Sequence, residues 1–383
     1  MDGIAGKSSR LTWAVHISTV LLVALWLFPT VGLLVSSFRT ADQISTSGWW
    51  ASMFSSEQRV VIRSADPDDF RVEDNDAFVV SGNLFSEASG KEVMAWGTSS
   101  RDIEAYTPGD VVDLGEGESI TVDTNGTYSW QGNEEQLSGR GKRIFATVLS
   151  PPDFTLENYE RVLLSGDRTD GMTKAFFNTL TVTIPATIIP IVIAAFAAYA
   201  LAWMQFPGRA ILIASVVGLL VVPLQLALIP LLQFHNNIGI GKGYLGTWMA
   251  HTGFGLPLAV YLLRNYMVGL PRDIIENAKV DGATDFQIFT KIIVPLSFPA
   301  MASFAIFQFL WTWNDLLVAR VFLIDATGET TVMTNQIVEI LGTRGGNWEI
   351  LATAAFVSIA VPLIVFFTMQ RYLVRGLLAG SVK

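Results

Sequence analysis

The chain has 383 residues, of which 51% are hydrophobic, and its mean hydropathy is +0.43. This composition is too apolar for an ordinary soluble domain and indicates a protein that crosses a membrane several times. There are no cysteines, which excludes disulfides, Cys-ligated zinc and a thiol nucleophile. His16, His235 and His251 lie in or beside apolar stretches at no metal-like spacing, so we predict buried or interfacial histidines and no metal site.

The charge is unevenly distributed along the chain. The net charge at pH 7 is −9, yet residues 36–173 hold 24 of the 34 acidic residues and 11 of the 25 basic ones, a net of −13. The remainder of the chain is therefore net positive, at about +4. The sequence thus predicts an acidic region set into a basic, apolar chain.

Six stretches are long and apolar enough for a membrane helix, which requires roughly 20 residues. They are residues 11–35, 175–203, 210–234, 244–267, 297–324 and 350–372. Lys7 and Arg10 give the first stretch the look of a signal peptide, but it is longer than a typical signal core, and we interpret it as a retained helix. Kinks are expected at the prolines of the second and third stretches: Pro185, Pro190, Pro223 and Pro230.

Six spans place both chain ends on the same side of the membrane. If that side is the cytoplasm, most basic residues that flank the spans lie inside, as the positive-inside rule requires. They are Lys7, Arg10, Arg209, Arg264, Arg272, Lys279, Lys291, Arg371, Arg375 and Lys383. The acidic region then faces outward, and the connection between the fourth and fifth spans faces the cytoplasm.

Residues 49–150 change to short alternating runs bounded by Gly, Asp and Asn. In SITVDTNGTYSW, at residues 119–130, the alternation turns at Asn125-Gly126, which predicts a β-hairpin. We therefore predict a small all-β domain of roughly 100 residues, which ends before Pro151-Pro152. It could contact a soluble partner or the substrate, or it could be a decoration without chemistry; the sequence leaves both open.

A polar stretch, ENAKVDGATDFQIFTKIIVP at residues 276–295, connects the fourth and fifth apolar stretches. Pro271 can begin a helix, where its missing N–H is not needed, and Asp281-Gly282 predicts a turn. A second amphipathic helix follows, and Pro295 marks the change into the next span. The apolar sides comprise Ile274, Ile275 and Ala278 in the first helix and Phe286, Phe289, Ile292 and Ile293 in the second. Such a pair could dock into a groove on another protein or rest on the bilayer surface.

Asp315, in WTWNDLL, is the only acidic residue within a predicted span. Intramembrane acids are functional candidates, including proton relays. Beside Asn314, the carboxylate could instead bind backbone groups or line a water-filled cavity, and we favour this structural or pathway role.

The connecting stretch resembles the EAA loop of ABC importer permeases. Glu276, Ala278, Gly282, Ile293 and Pro295 match the pattern, while Asn277 and Val294 replace an Ala and a Leu. The neighbouring RNYMVGLP and WTWNDLL and the C-terminal QRYLVRGLLAGSVK resemble the carbohydrate branch, in particular the second membrane subunit of maltose-type importers. The long insertion after the first span is similar to that of α-glucoside importer permeases.

The resemblance implies an all-α polytopic membrane protein of the ABC type I importer fold, with an inserted all-β extracytoplasmic domain. The implied divisions are residues 1–48, the periplasmic insertion 49–150, and the permease core 151–383 with its EAA loop at 269–296. The residues implied to couple the chain to an ATPase are Glu276, Ala278, Asp281, Gly282, Ile293 and Pro295. The outer loop at residues 342–349 corresponds by position to one that reaches into the sugar-binding protein, although a plain connector is an equal alternative.

The resemblance also implies the partners and the location. They are a second permease subunit, two ATP-binding subunits, a periplasmic sugar-binding protein and the lipid of a bacterial inner membrane, with no nucleic acid. The sequence contains no G-x-x-x-x-G-K-[ST], so we expect no cofactor in this chain, and ATP and Mg bound by the partner ATPases. We predict a permease that imports sugars of the trehalose, sucrose or maltose type and is not itself an enzyme. The alternatives are a proton- or ion-coupled secondary transporter that uses Asp315 and, less favoured, a membrane-bound enzyme.

Overall fold

The computed structural model describes residues 10–74, 77–86, 89–164, 172–343 and 346–378. Lys7, Lys383 and residues 344 and 345 of the predicted outer loop lie outside these ranges. The chain divides into two compact units, Met1–Asn158 and Tyr159–Lys383. This division groups the first apolar helix with the predicted β region.

The first unit joins one long apolar helix to a β region. The long helix leaves nearly all its side chains exposed, since only 6% of its most apolar window is buried. The helices are α1 (Arg10–Ser36), α2 (Ala41–Thr46) and α3 (Pro67–Phe70), with a 3-10 turn at Trp49–Ala51. The strands are β1 (Ser56–Arg63), β2 (Val72–Asp74), β3 (Ala77–Asn83), β4 (Glu92–Gly97), β5 (Val111–Gly115), β6 (Glu118–Val122), β7 (Thr127–Gly132) and β8 (Arg143–Ser150).

The strands form two antiparallel sheets, in the order β1-β8-β4 and β2-β3-β7-β6-β5. The predicted hairpin is confirmed: β6 pairs with β7, and Gly126 turns the chain at a φ of 81°. Alternation buries one face of each sheet, and the shared core includes Val80, Trp96, Ile120, Trp130 and Ile144. The β region therefore has a core of its own.

The second unit is helical. Its core lies where α5, α8 and the helical run leading into α11 pack together, through Ala198, Leu263 and Phe304 among others. The helices are α4 (Glu157–Leu163), which contains the boundary between the units, α5 (Thr173–Trp203), α6 (Arg209–Leu219), α7 (Leu224–Asn237), α8 (Tyr244–Val268), α9 (Arg272–Val280), α10 (Asp285–Ile288), α11 (Val294–Trp313), α12 (Leu317–Phe322), α13 (Met333–Thr343) and α14 (Trp348–Leu378).

Among the described residues, four helical segments are long and apolar enough to cross a membrane: Leu11–Ser36, Thr173–Trp203, Asp285–Trp313 and Trp348–Tyr372. The bent pair α6 and α7 counts as a fifth if it is one span. The predicted fourth span, α8, is a continuous helix of 25 residues. It is not among these segments because polar residues such as Thr247, His251 and Asn265 lower its hydropathy.

Two predicted spans are not single straight helices. In the third, the chain bends by 114° between α6 and α7. Pro223 lies at the bend, where it cannot supply a helical N–H and restricts the residue before it to extended conformations. In the fifth, the helix ends at Trp313 and resumes at Leu317. Asn314 Nδ2 donates to the carbonyl of Leu310 at 2.9 Å, a local bond of the kind that competes with continued helix.

As predicted, α11 begins beside Pro295, at Val294, but no break in the helical run separates it from the short helix before it. Asp285–Trp313 is one helical run of 29 residues. A π-helical turn at Phe289–Ile293 widens the backbone immediately before α11. Pro295 then lies in the first turn of α11, where its ring and its missing N–H are tolerated.

Candidate functional site

The knuckle, which we define as residues 271–293, is built first on the amphipathic helix α9. Ile275 is buried and Ala278 is half-buried on its inner side. Glu276 lies on the exposed side and accepts a hydrogen bond from Arg272 Nε at 2.8 Å. Because both charged side chains are largely exposed, this i,i+4 pair contributes only about 0.3–0.5 kcal/mol to the stability of the helix. The carboxylate of Glu276 stays accessible to a partner.

Gly282 turns the chain sharply at the end of α9. Its φ is 82°, in the left-handed region that side chains disfavour, and the N–H of Ala283 donates to the carbonyl of Ala278 at 3.0 Å. The N–H of Asp281 donates to Asn277 O at the same distance. No atom lies within 4 Å of the position that a Cβ on Gly282 would occupy. A side chain there therefore strains the backbone but meets nothing within the knuckle, so it would project into the space available to a partner.

A capping box starts the helix after this corner. The side chain of Thr284 accepts a hydrogen bond from the N–H of Gln287 at 3.2 Å, and Gln287 Oε1 accepts from the N–H of Thr284 at 2.9 Å. The T-x-x-Q spacing is a sequence signal for this cap, and our sequence analysis missed it. The cap fixes the direction in which α10 leaves the corner.

The knuckle is anchored through its second half. Ile288, Phe289 and Ile293 are buried in the same core as α5 and α8. The ring of Phe289 lies 4.5 Å from that of Phe196 and 5.4 Å from that of Tyr199. The predicted apolar side is therefore confirmed for Phe289 and Ile293, whereas Phe286 is 65% exposed. The π-helical turn changes the direction in which the side chains after it point. A repeat of 3.6 residues per turn does not predict this change.

One carboxylate, that of Asp285, connects both sides of the corner to α5. Its Oδ1 accepts a hydrogen bond from the hydroxyl of Tyr199 at 3.3 Å and lies 3.5 Å from Lys279 Nζ. Lys279 belongs to α9, and Asp285 begins α10. Sequence reasoning did not identify Tyr199 or Asp285, because nothing in the spacing indicates that α5 reaches this loop.

The outer face of the knuckle exposes apolar side chains beside charged ones. Val280 is 87% exposed and Ile274 is 39% exposed, in addition to Phe286. In the described part of the chain, no group of three or more His, Asp or Glu side chains could hold a metal. Because exposed apolar side chains lie beside charged ones, this face is suited to binding another protein.

The six residues assigned to the loop lie on α9, on the corner after it and on the helical run that leads into α11, whereas Asn314 and Asp315 lie elsewhere. They follow the C-terminal end of α11, a helix of 20 residues and therefore about 30 Å long. Asn314 is exposed, and its amide bonds its own helix. Pro295 is exposed at the other end of α11, next to the buried Ile293.

Asp315 acts as a cap for the short helix α12. Its Oδ2 accepts a hydrogen bond from the N–H of Ala319 at 3.1 Å, and its backbone carbonyl accepts one from Thr334 Oγ1 at 2.8 Å. His251 Nε2 lies 3.8 Å from the same Oδ2, beyond hydrogen-bonding distance. The carboxylate thus satisfies a backbone donor at a helix N-terminus, which is the structural role favoured above.

A protein family described as the inner membrane component of binding-protein-dependent transport systems matches residues 163–378. The alpha-glucoside transport system permease protein AglG of Rhizobium meliloti is 59% identical over 98% of each chain. The chain belongs to this family. The predicted relationship to ABC importer permeases is confirmed, and the chain is a helical permease subunit of such a transporter, located in the membrane.

Two further similarities concern parts of the permease. The osmoprotective compounds uptake permease protein GgtD of Synechocystis is 56% identical over 249 residues, which are 65% of this chain and 82% of that one. A solved structure of a bacterial ABC transporter involved in import of the acidic polysaccharide alginate is 22% identical, with a TM-score of 0.48. That similarity covers 58% of this permease and 81% of the other chain.

Proposed function

We propose that this permease imports α-glucosides and that the knuckle is where it binds its ATPase partner. The proposed assembly contains a second permease subunit, two ATP-binding subunits and a periplasmic sugar-binding protein. ATP and Mg bind to the ATPase subunits. In this scheme the permease core, residues 151–383, crosses the membrane five times and α1 adds a sixth crossing, with both chain ends in the cytoplasm and residues 49–150 outside.

The geometry of the knuckle supports the coupling role. The corner at Gly282 is exposed, while Ile288, Phe289 and Ile293 are buried among α5 and α8. An ATPase that moves the exposed half would therefore move the buried half with it, because a packed core shifts as a unit. A partner that binds the knuckle differently in its two states thereby biases the permease between two conformations.

The choice of sugar rests on AglG, which the permease resembles along its whole length, including the β region. The 56% identity to GgtD supports osmoprotective compounds as a second candidate class of solute. The proton-coupled alternative has less support, because the Asp315 carboxylate already caps α12.

The test is transport by the assembled complex in proteoliposomes. We expect ATP-dependent uptake of labelled trehalose, sucrose or maltose to continue when a protonophore collapses the proton gradient. Uptake that requires the gradient and not ATP would overturn the ATP-driven scheme. Uptake of an osmolyte, with no competition from α-glucosides, would overturn only the sugar assignment.

A second test addresses the coupling site. The tagged wild-type chain is expected to co-purify with the ATPase subunits, and Gly282→Asp is expected to lose them, since its side chain points into the open space at the corner. Gly208→Asp is the matched control, because Gly208 also has a positive φ, of 85°, and open space around its Cβ position. Equal retention by both variants would show that the knuckle is not the ATPase dock.

A further inference from the structure

An exposed aromatic segment lies beside the C-terminal part of α1. The segment, which we call the collar, is Gly48–Phe54, where a 3-10 turn at Trp49–Ala51 ends in Ser52. Trp50 is 68% exposed, Met53 is 71% exposed and Phe54 is 72% exposed. Side chains of this size are more often buried in a soluble region, and here three of them lie together on one short segment.

The position of the collar along α1 is fixed by ring contacts. The ring of Phe28 lies 4.6 Å from that of Trp49 and 6.4 Å from that of Trp50. A Cβ on Gly32 would lie 2.7 Å from Trp49 Nε1, so the absence of a side chain at Gly32 admits the indole. After α1 ends, the chain therefore folds back alongside the helix by about one to two turns.

That position corresponds to the outer edge of the bilayer. The apolar segment Leu11–Ser36 has 26 residues and is about 39 Å long, whereas the hydrocarbon core is about 30 Å thick. A core that begins at Leu11 therefore ends at about residue 31, between Phe28 and Gly32. The collar then lies at the boundary between hydrocarbon and headgroups, where tryptophan is enriched.

We propose that the collar is a membrane anchor that inserts Trp50, Met53 and Phe54 into the lipid interface. This inference rests on α1 crossing the membrane, as in the proposed function. Lipid is the occupant that fits, because the exposed surface of the collar is continuous through Phe28 with the exposed apolar surface of α1.

The anchor places the β region at the membrane surface. Strand β1 begins at Ser56, two residues after Phe54, and Ser56 pairs with Ser150 at the end of β8. The entry and the exit of the β region therefore lie side by side, close to the collar. Insertion of the collar sets the height of both ends above the bilayer.

Because the chain contains no cysteine, a spin label can be placed at any one residue. Met53→Cys and Phe54→Cys would be labelled separately in the full complex, with the other subunits made cysteine-free, and reconstituted in liposomes. The accessibility of each nitroxide to oxygen and to a water-soluble nickel chelate would then be measured. Leu21→Cys in α1 is the lipid reference, and Phe70→Cys is the water reference, because both side chains are similarly exposed, at 64% and 61%.

We expect the labels at residues 53 and 54 to favour oxygen over the nickel chelate, like the label at residue 21 and opposite to the label at residue 70. Labels at 53 and 54 that favour the nickel chelate would overturn the anchor. Labels reached by neither reagent would overturn it as well, because another protein would then cover the collar. Nickel access at residue 21 would overturn the crossing by α1 itself.

Discussion

The hydroxyl of Tyr199 donates a hydrogen bond to Asp285 Oδ1 over 3.3 Å, which joins α5 to the first residue of α10. The same oxygen lies 3.5 Å from Lys279 Nζ, so one carboxylate connects both arms of the corner to a long apolar helix. A displacement of the knuckle therefore acts on α5 through a polar contact as well as through the ring of Phe289. This contact provides a direct test of coupling.

Tyr199→Phe should lower the number of sugar molecules transported per ATP hydrolysed. The ring and its packing on Phe289 stay, while the loss of a hydrogen bond to a charged acceptor costs about 1.5–3 kcal/mol. Uptake and ATP hydrolysis would be measured on the same proteoliposomes. Tyr266→Phe is the control, because it removes a hydroxyl that donates to Leu296 O at 3.1 Å and so joins α8 to α11, not α5 to the corner. Equal transport ratios in the two variants would contradict the coupling role of Tyr199.

Val280→Asp and Phe286→Asp should each weaken binding of the ATPase subunits. Burying a Val or Phe side chain contributes about 1.5–3 kcal/mol, so we expect affinity to fall by roughly 10- to 100-fold. Both side chains are exposed in this chain, at 87% and 65%, and the substitutions should not disturb its core. Titration of purified ATPase onto nanodisc-held permease would measure the affinity.

Val111→Asp is the control for this pair, because Val111 is 72% exposed on a strand of the β region. It should bind the ATPase like the wild-type chain. If all three variants bind equally well, the apolar face of the knuckle does not contact the ATPase.

The β-strands and the corner at Gly282 could be predicted from local signals. The alternation of apolar and polar residues and the Asn125-Gly126 turn indicate strands, because both signals depend only on residues that are close together in the sequence. The same holds for Ile275 and Ala278, whose spacing predicts the buried side of α9. Local chemistry is enough where the structure is determined by contacts within one or two turns.

The π-helical turn, the bend at Pro223 and the bond from Tyr199 to Asp285 could not be predicted in this way. A proline in an apolar run is compatible with a break between two helices, as at Pro223, with a continuous helix, as at Pro190, and with the first turn of a helix, as at Pro295. Neighbouring helices decide which of these outcomes forms, because they can bind the backbone groups that the proline leaves without a helical hydrogen bond. Contacts between α5 and the knuckle require the tertiary fold.

Asp315→Asn should support ATP-dependent uptake close to that of the wild-type chain. The amide oxygen can still accept the hydrogen bond from the N–H of Ala319, so α12 keeps its cap, whereas a proton relay would be lost. Asp315→Ala removes the acceptor and should cost about 0.5–2 kcal/mol of stability. Uptake assays with a protonophore and thermal unfolding of the purified complex would separate the two effects. Loss of uptake in Asp315→Asn, with normal stability, would indicate that the carboxylate takes part in transport.

Arg39→Met should loosen the segment that leads from α1 to the β region. Arg39 is buried, which lowers its pKa from the usual range. Its guanidinium donates to Ser47 O at 3.0 Å, to Gln43 O at 2.7 Å and to Ser47 Oγ at 2.6 Å. Hydrogen bonds from a charged group contribute about 1.5–3 kcal/mol, so removing them should lower the free energy of local opening by at least that amount.

Hydrogen exchange followed by mass spectrometry would measure this opening in peptides that cover residues 37–55. Arg59→Met is the control, because the side chain of Arg59 is 74% exposed and pairs with Glu104 at 3.4 Å, an exposed contact worth at most about 1 kcal/mol. Faster exchange in Arg39→Met alone would establish that Arg39 holds the segment in place. An unchanged exchange rate in Arg39→Met would show that the hydrogen bonds of Arg39 do not hold the segment in place.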